Sequence, residues 1–163
     1  EEKVDCFLYV GTGDFHPLAI SLATSKPVMV ADPIKNEFKD MREVRDRTLR
    51  RRHGAIERAK DSKRFGIILS EKPGQRREKL AEYSRRLLTE AKIEAIVVEM
   101  DLVTPTKLKT MGLDAWVSTA CPRLALDDYS AYEVPVLTPV ELEIMLNRRS
   151  WAEYAFDEIL EGQ

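Results

Sequence analysis

The sequence predicts an α/β fold: a parallel-sheet α/β domain with flanking helices, preceded by the end of a second α/β domain. Three observations carry this. Short apolar runs of strand length alternate with longer amphipathic stretches, once over 5–33 and again over 65–146. A highly charged helical stretch, 40–61, separates the two regions. The chain has 163 residues, 44% of them hydrophobic, which is enough for one complete core and part of another.

Taken in order, "DCFLYVG" (5–11) is an apolar run ended by Gly11 and reads as a central strand. "FHPLAISLATS" follows with Leu18 and Leu22 at helical spacing, and "KPVMVADP" gives a second strand stopped by Pro33. This strand–helix–strand unit is too small for a whole domain. The opening "EEKVDCFLYVG" passes at once into a strand, so the chain is expected to be a piece of a longer polypeptide.

"DMREVRDRTLRRRHGAIERAKD" (40–61) carries eight Lys or Arg against five Asp or Glu, with Met41, Val44, Leu49, Ala55 and Ile56 as its sparse apolar positions. Interleaved charge of this kind reads as a solvated helix with i,i+4 pairs rather than a nucleic-acid surface. The expected layout is the end of one domain over 1–39, a linking helix over 40–62 and a second domain over 63–163.

The second region holds a full alternating set. "RFGIILS" is a strand, and "GQRREKLAEYSRRLLTEAK" an amphipathic helix with Leu80, Tyr83, Leu87 and Leu88 expected on its inner face. "IEAIVVEMD" is the next strand. "TPTKLKTMG" is a short helix with Pro105 in its first turn and Gly112 at its end. "DAWVSTA" and "VPVLTP" are further strands, and "PVELEIML" closes as a helix.

Composition excludes several function classes. The formal net charge is −2, from 26 basic and 28 acidic residues, which argues against a general polyanion binder, and no nucleic-acid partner is expected. No apolar run reaches the roughly 20 residues of a membrane span. The two cysteines suggest no disulfide framework and suit a reducing cytoplasm.

In an open parallel sheet, ligands bind beyond the carboxyl ends of the strands. Three turns at that edge are unusual: "EKPGQRR" after "FGIILS", "ACPR" after "AWVST", and "PVE" after "VPVLT". "EKPGQRR" brings Gly74 to a helix start, where free N–H groups favour an anionic ligand, with Gln75 and Arg76 as side-chain donors. "GTGDF" lacks the third glycine of the dinucleotide fingerprint and the Lys-Ser/Thr of a P-loop. His16 is expected to be structural, and His53 sits in the basic helix, so a His-based zinc site has little material. Cys121 permits three readings: a small buried apolar residue, a nucleophile at a helix start, or one ligand of a metal or iron–sulfur site.

The segments "YVGTGDFHPLAISLATSKPV", "FGIILSEKPGQRR", "WVSTACPRLALDD" and "PVLTPVELE" together resemble the archaeal diphthamide synthase family, over roughly Asp5 to Met145. "STACPR" with the downstream "LTP" is the most specific part. The resemblance implies a polypeptide of three related α/β domains, each giving one cysteine to a central [4Fe–4S] cluster whose fourth iron binds S-adenosylmethionine. It implies transfer of a 3-amino-3-carboxypropyl radical to a histidine of translation elongation factor 2, by a homodimer supplied by an electron donor. On this sequence, Cys121 becomes the cluster ligand of the last domain, and Gly74, Gln75 and Arg76 candidate cofactor contacts. Residues 1–39 become the end of the middle domain. Glu141, Asp127 and Asp128 lie at the same edge without an assigned role. Cys6 is expected to be core, so the other two cluster cysteines are missing and the chain alone should not turn over. The alternative is a non-catalytic nucleotide-binding or partner α/β module in which Cys121 is structural.

Overall fold

The computed structural model describes residues 3–126 and 131–157. The chain divides into two compact units, 1–51 and 52–163.

The first unit contains β1 (Phe7–Val10), α1 (Phe15–Ala23), β2 (Val28–Asp32) and β3 (Glu37–Asp40), in the strand order β1-β2-β3. β1 and β2 pair in parallel with Phe7 opposite Val28, as the strand–helix–strand pattern predicts. Alternation then places Phe7, Tyr9, Val28 and Val30 on one face, packed with Leu18 of α1 and with Met41. β3 was not expected. It returns antiparallel to β2, with Asp32 opposite Glu37. Asp32 Oδ1 accepts from the N–H groups of Ile34 and Lys35, and Asn36 takes a positive φ of 53°, so "DPIKN" is a tight turn. The opposite face of this sheet leaves Leu8, Val10 and Phe38 exposed. Cys6 is exposed and lies before β1, which corrects the expectation that it is core. The ladder starts only at Phe7, whose N–H donates to the Pro27 carbonyl.

The division between the units falls inside α2 (Arg42–Ala59), a continuous 18-residue helix. Its exposed side shows the expected pairing, with Arg47 on Glu43 at 2.6 Å. One of its arginines does not fit the solvated pattern: Arg52 is almost wholly buried.

The second unit contains β4 (Arg64–Ser70), α3 (Glu78–Glu90), β5 (Glu94–Met100), α4 (Pro105–Thr110), β6 (Ala115–Ser118), α5 (Arg123–Leu126), β7 (Val136–Leu137), α6 (Pro139–Met145) and a 3-10 turn, Trp151–Glu153. The strands form one wholly parallel sheet in the order β5-β4-β6-β7. β4 reads as a continuous apolar run because it is central and covered on both faces. On one face Phe65, Ile67, Leu69, Ala115 and Val117 pack with Ala55, Ile56 and Ala59 of α2, with α3 and with α6. On the other, Ile68 and Trp116 pack with Leu108 of α4 and Ala125 of α5.

Helix boundaries follow the capping chemistry. α4 opens on Thr104, whose side chain accepts from the Lys107 N–H, with Pro105 in the first turn and Gly112 just past the end. α6 opens on a reciprocal box: Thr138 accepts from the Glu141 N–H, and Glu141 accepts from the Thr138 N–H at 2.8 Å. α3 buries Ala81, Ser84, Leu87 and Leu88, whereas Leu80 and Tyr83, expected inside, are half-buried at its flank. Ser84 is tolerated there because its hydroxyl donates to the Leu80 carbonyl. The four-residue α5, too short to show a period, corresponds to the helix start that the reading of Cys121 as a nucleophile allowed after it.

Candidate functional site

From β4 the chain crosses by α3 to β5 on one side, then returns past β4 to β6 on the other. The strand order therefore reverses between the carboxyl ends of β4 and β6, the position at which open parallel sheets form a ligand crevice. The two loops flanking it are 71–77 and 119–122. Gly74, Gln75 and Arg76 stand on the first and Cys121 on the second, so the topology brings all four predicted residues to one edge.

The 71–77 loop is built by local turns. The Glu71 N–H donates to the Met100 carbonyl, the Lys72 N–H to Ser70 Oγ, and the Gln75 N–H to the Lys72 carbonyl. Gly74 closes this turn at φ 78°, a left-handed conformation that a side chain would strain. α3 begins after Arg77 with no side-chain cap, which leaves its N-terminal turn open toward an anion. Arg76 is partly exposed and already paired, with Glu78 at 2.7 Å and with Glu99. These two carboxylates hold its guanidinium above the usual range, Glu99 more strongly.

The neighbouring arginine, which the sequence reading passed over, is the one that joins the two loops. Arg77 is about 1% exposed. Its Nε donates to the Thr119 carbonyl at 2.7 Å and its Nη2 to the Ala120 carbonyl at 2.8 Å. Its charge is met by Asp157, bidentate at 2.8 and 2.7 Å. Thr119 is fixed from the other side, where its N–H and hydroxyl both donate to the Ile68 carbonyl of β4.

A second buried arginine reaches α5, α6 and β7. Arg52 donates through Nε and Nη2 to Glu141 at 2.7 and 2.5 Å, and through its terminal nitrogens to the carbonyls of Ala125 and Val136. Burial is the largest influence on its pKa and lowers it, but the Glu141 charge, the hydrogen bonds to Glu141 and the nearby Tyr154 together outweigh burial and raise it. Glu141 is fully buried and also accepts from the Tyr154 hydroxyl at 3.1 Å. Burial, reinforced by the Glu141 charge, holds the Tyr154 phenol well above its ordinary range. Glu141 is thus a structural counter-ion. Asp127 and Asp128 lie outside the described residues.

Cys121 itself is a free, partly exposed thiol between the end of β6 and the start of α5. The carbonyl of Cys121 accepts from the Leu124 N–H, which begins α5. Ser118 Oγ and Trp116 Nε1 are buried without a hydrogen-bond partner on the same strand. Among the described residues no group of three His, Cys, Asp or Glu side chains could hold a metal ion. Cys121 can fill one ligand position of an iron–sulfur cluster; these residues cannot complete one. His16 stands in an aromatic set with Tyr9 and Phe15, and His53 meets the Trp151 ring edge-on at 5.0 Å.

The chain matches a family model described as "Putative diphthamide synthesis protein" over residues 1–155. It is 45% identical over 157 residues to the 2-(3-amino-3-carboxypropyl)histidine synthase of Pyrococcus horikoshii, covering 95% of this chain and 44% of that protein. The enzyme of the same name from Methanocaldococcus jannaschii is 34% identical over 160 residues, covering 96% and 46%. The crystal structure of Dph2 from Pyrococcus horikoshii with a 4Fe-4S cluster superposes with a TM-score of 0.88 at 41% identity, over 97% of this chain and 45% of that one. The chain thus spans a little under half the length of these relatives. A match over almost its whole length, together with a shared fold, shows that the chain belongs to the diphthamide synthesis protein family.

Proposed function

We propose that this chain is the C-terminal part of a 2-(3-amino-3-carboxypropyl)histidine synthase, and that Cys121 is its one ligand to a [4Fe–4S] cluster. The observation that carries the reading is the position of Cys121, a free thiol at the switch point of a parallel sheet in a chain that superposes on a cluster-bearing relative. The remaining ligands come from outside this chain, as the single thiolate requires. Residues 1–39 end a middle domain, 40–62 link, and 63–163 form the last domain.

With the cluster bound, the chemistry supplied is one-electron cleavage of the bond between the sulfur of S-adenosylmethionine and its methionine γ-carbon, giving a 3-amino-3-carboxypropyl radical. This chain's own residues hold and orient. The uncapped start of α3 and the backbone at Gly74 favour the methionine carboxylate, with Gln75 as a further donor. Arg76 takes part by exchanging Glu78 or Glu99 for that carboxylate. The acceptor is a histidine of translation elongation factor 2, the working assembly a homodimer, and the electron comes from a separate donor.

Iron and acid-labile sulfide in the anaerobically purified full-length polypeptide, beside its Cys121→Ser variant, test the reading. Cluster iron in the parent and its depletion in the variant support it. An iron-free parent after anaerobic reconstitution sinks it and leaves a non-catalytic α/β module with a structural cysteine.

A further inference from the structure

Cys121 projects from a turn that has little regular structure of its own. β6 ends at Ser118 and α5 begins at Arg123, so the four residues between them have neither ladder nor helix to define their dihedrals. What defines them is side-chain chemistry. Thr119 is tied to the Ile68 carbonyl through both its N–H and its hydroxyl. The next two carbonyls, of Thr119 and Ala120, are both taken by the Arg77 guanidinium.

A guanidinium is planar and its N–H vectors are fixed relative to one another. Two successive peptide carbonyls bound to one such plane cannot rotate independently, so the peptide planes on either side of Ala120 are set together. The second of these is the peptide that leads into Cys121. The guanidinium is in turn immobilised by a two-point contact to Asp157. An exposed lysine or arginine at this position would give none of this, because its orientation would be free.

We propose that Arg77 is the positioning residue of this site: held by Asp157, it fixes the Thr119–Ala120 backbone and so sets the place and direction from which Cys121 presents its thiol. The functional meaning of that thiol rests on the cluster reading above; the positioning itself does not. A ligand held this way is pre-organised, so that loading metal need not also order the turn. The assignment also gives Asp157 a part in the site, acting through Arg77 from 36 positions beyond the cysteine.

The test uses Arg77→Lys, which keeps the charge beside Asp157 and removes the fork, and Asp157→Asn, which keeps the fork and removes its anchor. Leu88→Ala, in the core below α3, is the control matched in melting temperature. The first readout needs no cluster: the alkylation rate of Cys121 as a function of pH in the Cys6→Ser background. The expected result is a rate about tenfold higher in both site variants, as follows from losing a charge-assisted hydrogen bond, and unchanged in Leu88→Ala. The second is the electron paramagnetic resonance spectrum of the reduced, iron-loaded full-length polypeptide, expected to shift or broaden in Arg77→Lys and not in Leu88→Ala. If Cys121 reactivity moves only in step with melting temperature across all three variants and the spectrum is unchanged, the positioning role is overturned while the cluster reading stands. If the parent binds no iron but the thiol responds as expected, the cluster reading fails and the positioning of Cys121 is upheld.

Discussion

The indole of Trp116 lies directly over Gly66: the two residues are register partners on β6 and β4, and a Cβ added at Gly66 would stand 2.2 Å from the Trp116 ring. Trp116 is fully buried and anchors the sheet face that carries Leu108 and Ala125. The glycine is therefore fixed by its neighbour's ring, which fills the space a methyl group would need. Gly66→Ala is expected to destabilise the chain by about 3 kcal/mol through overpacking. Urea unfolding followed by far-ultraviolet circular dichroism measures this. A loss close to zero would mean that the sheet can slide to accept the methyl.

Arg52 and Glu141 behave as one unit. Glu141→Gln leaves a guanidinium buried without its counter-charge, and a loss of about 3–5 kcal/mol is expected. Arg52→Met leaves the carboxylate in the same position. The double variant should cost clearly less than the sum of the two, because neither charge is then stranded. A double-mutant cycle on unfolding free energy reads the coupling; strict additivity would contradict the geometry.

Alkaline pH should weaken the fold through two tyrosines. Burial and the Glu141 charge raise Tyr154, and the hydrogen bond to Glu143 with burial raises Tyr83. Both keep their protons in the folded chain at a pH where the unfolded chain, near its ordinary value of about 10, releases them. Their contribution is whole below about pH 10 and is lost as pH climbs from there toward the raised values. Melting temperature between about pH 8 and pH 11 should fall more steeply for the parent than for Tyr154→Phe. Equal slopes would show that the phenol ionises as freely inside as out.

Neighbouring arginines should give opposite results. Arg76→Ala removes only partly exposed ion pairs to Glu78 and Glu99 and is expected to leave melting temperature unchanged. In the iron-loaded full-length polypeptide it should weaken S-adenosylmethionine binding. Arg77→Ala should lower melting temperature sharply, since it strands Asp157 and two carbonyls. Calorimetric titration with S-adenosylmethionine distinguishes them; an Arg76 variant that binds as tightly as the parent removes that residue from the cofactor site.

The architecture of the second unit was legible because each strand is an apolar run and each long helix has a stripe. The two buried arginines were not read, yet a signal existed. Arg77 stands four residues before Ala81 on the line that continues through Ser84 and Leu88, and Arg52 on the line through Ala55, Ile56 and Ala59. A charge in register with an apolar stripe is a candidate for burial, and composition hides this by counting it as surface. Cys121 and the 71–77 loop could be placed at one edge from strand order alone. Glu141 was noticed but its partner was 89 positions away, beyond the reach of any local pattern. β3 was missed because "EFKD" is short and polar at both ends, and only the turn before it marks a reversal.

The contact between Arg77 and Asp157 joins residues 80 positions apart. A chain made from its N-terminus therefore produces the arginine early, the cysteine next and the aspartate last. While synthesis stands anywhere between Cys121 and Asp157, β4, β5 and β6 can already pair but the turn bearing the thiol lacks its brace. A nascent chain that has not yet reached Asp157 therefore lacks the contact that holds Arg77 against the Thr119–Ala120 backbone, and with it the final attitude of Cys121.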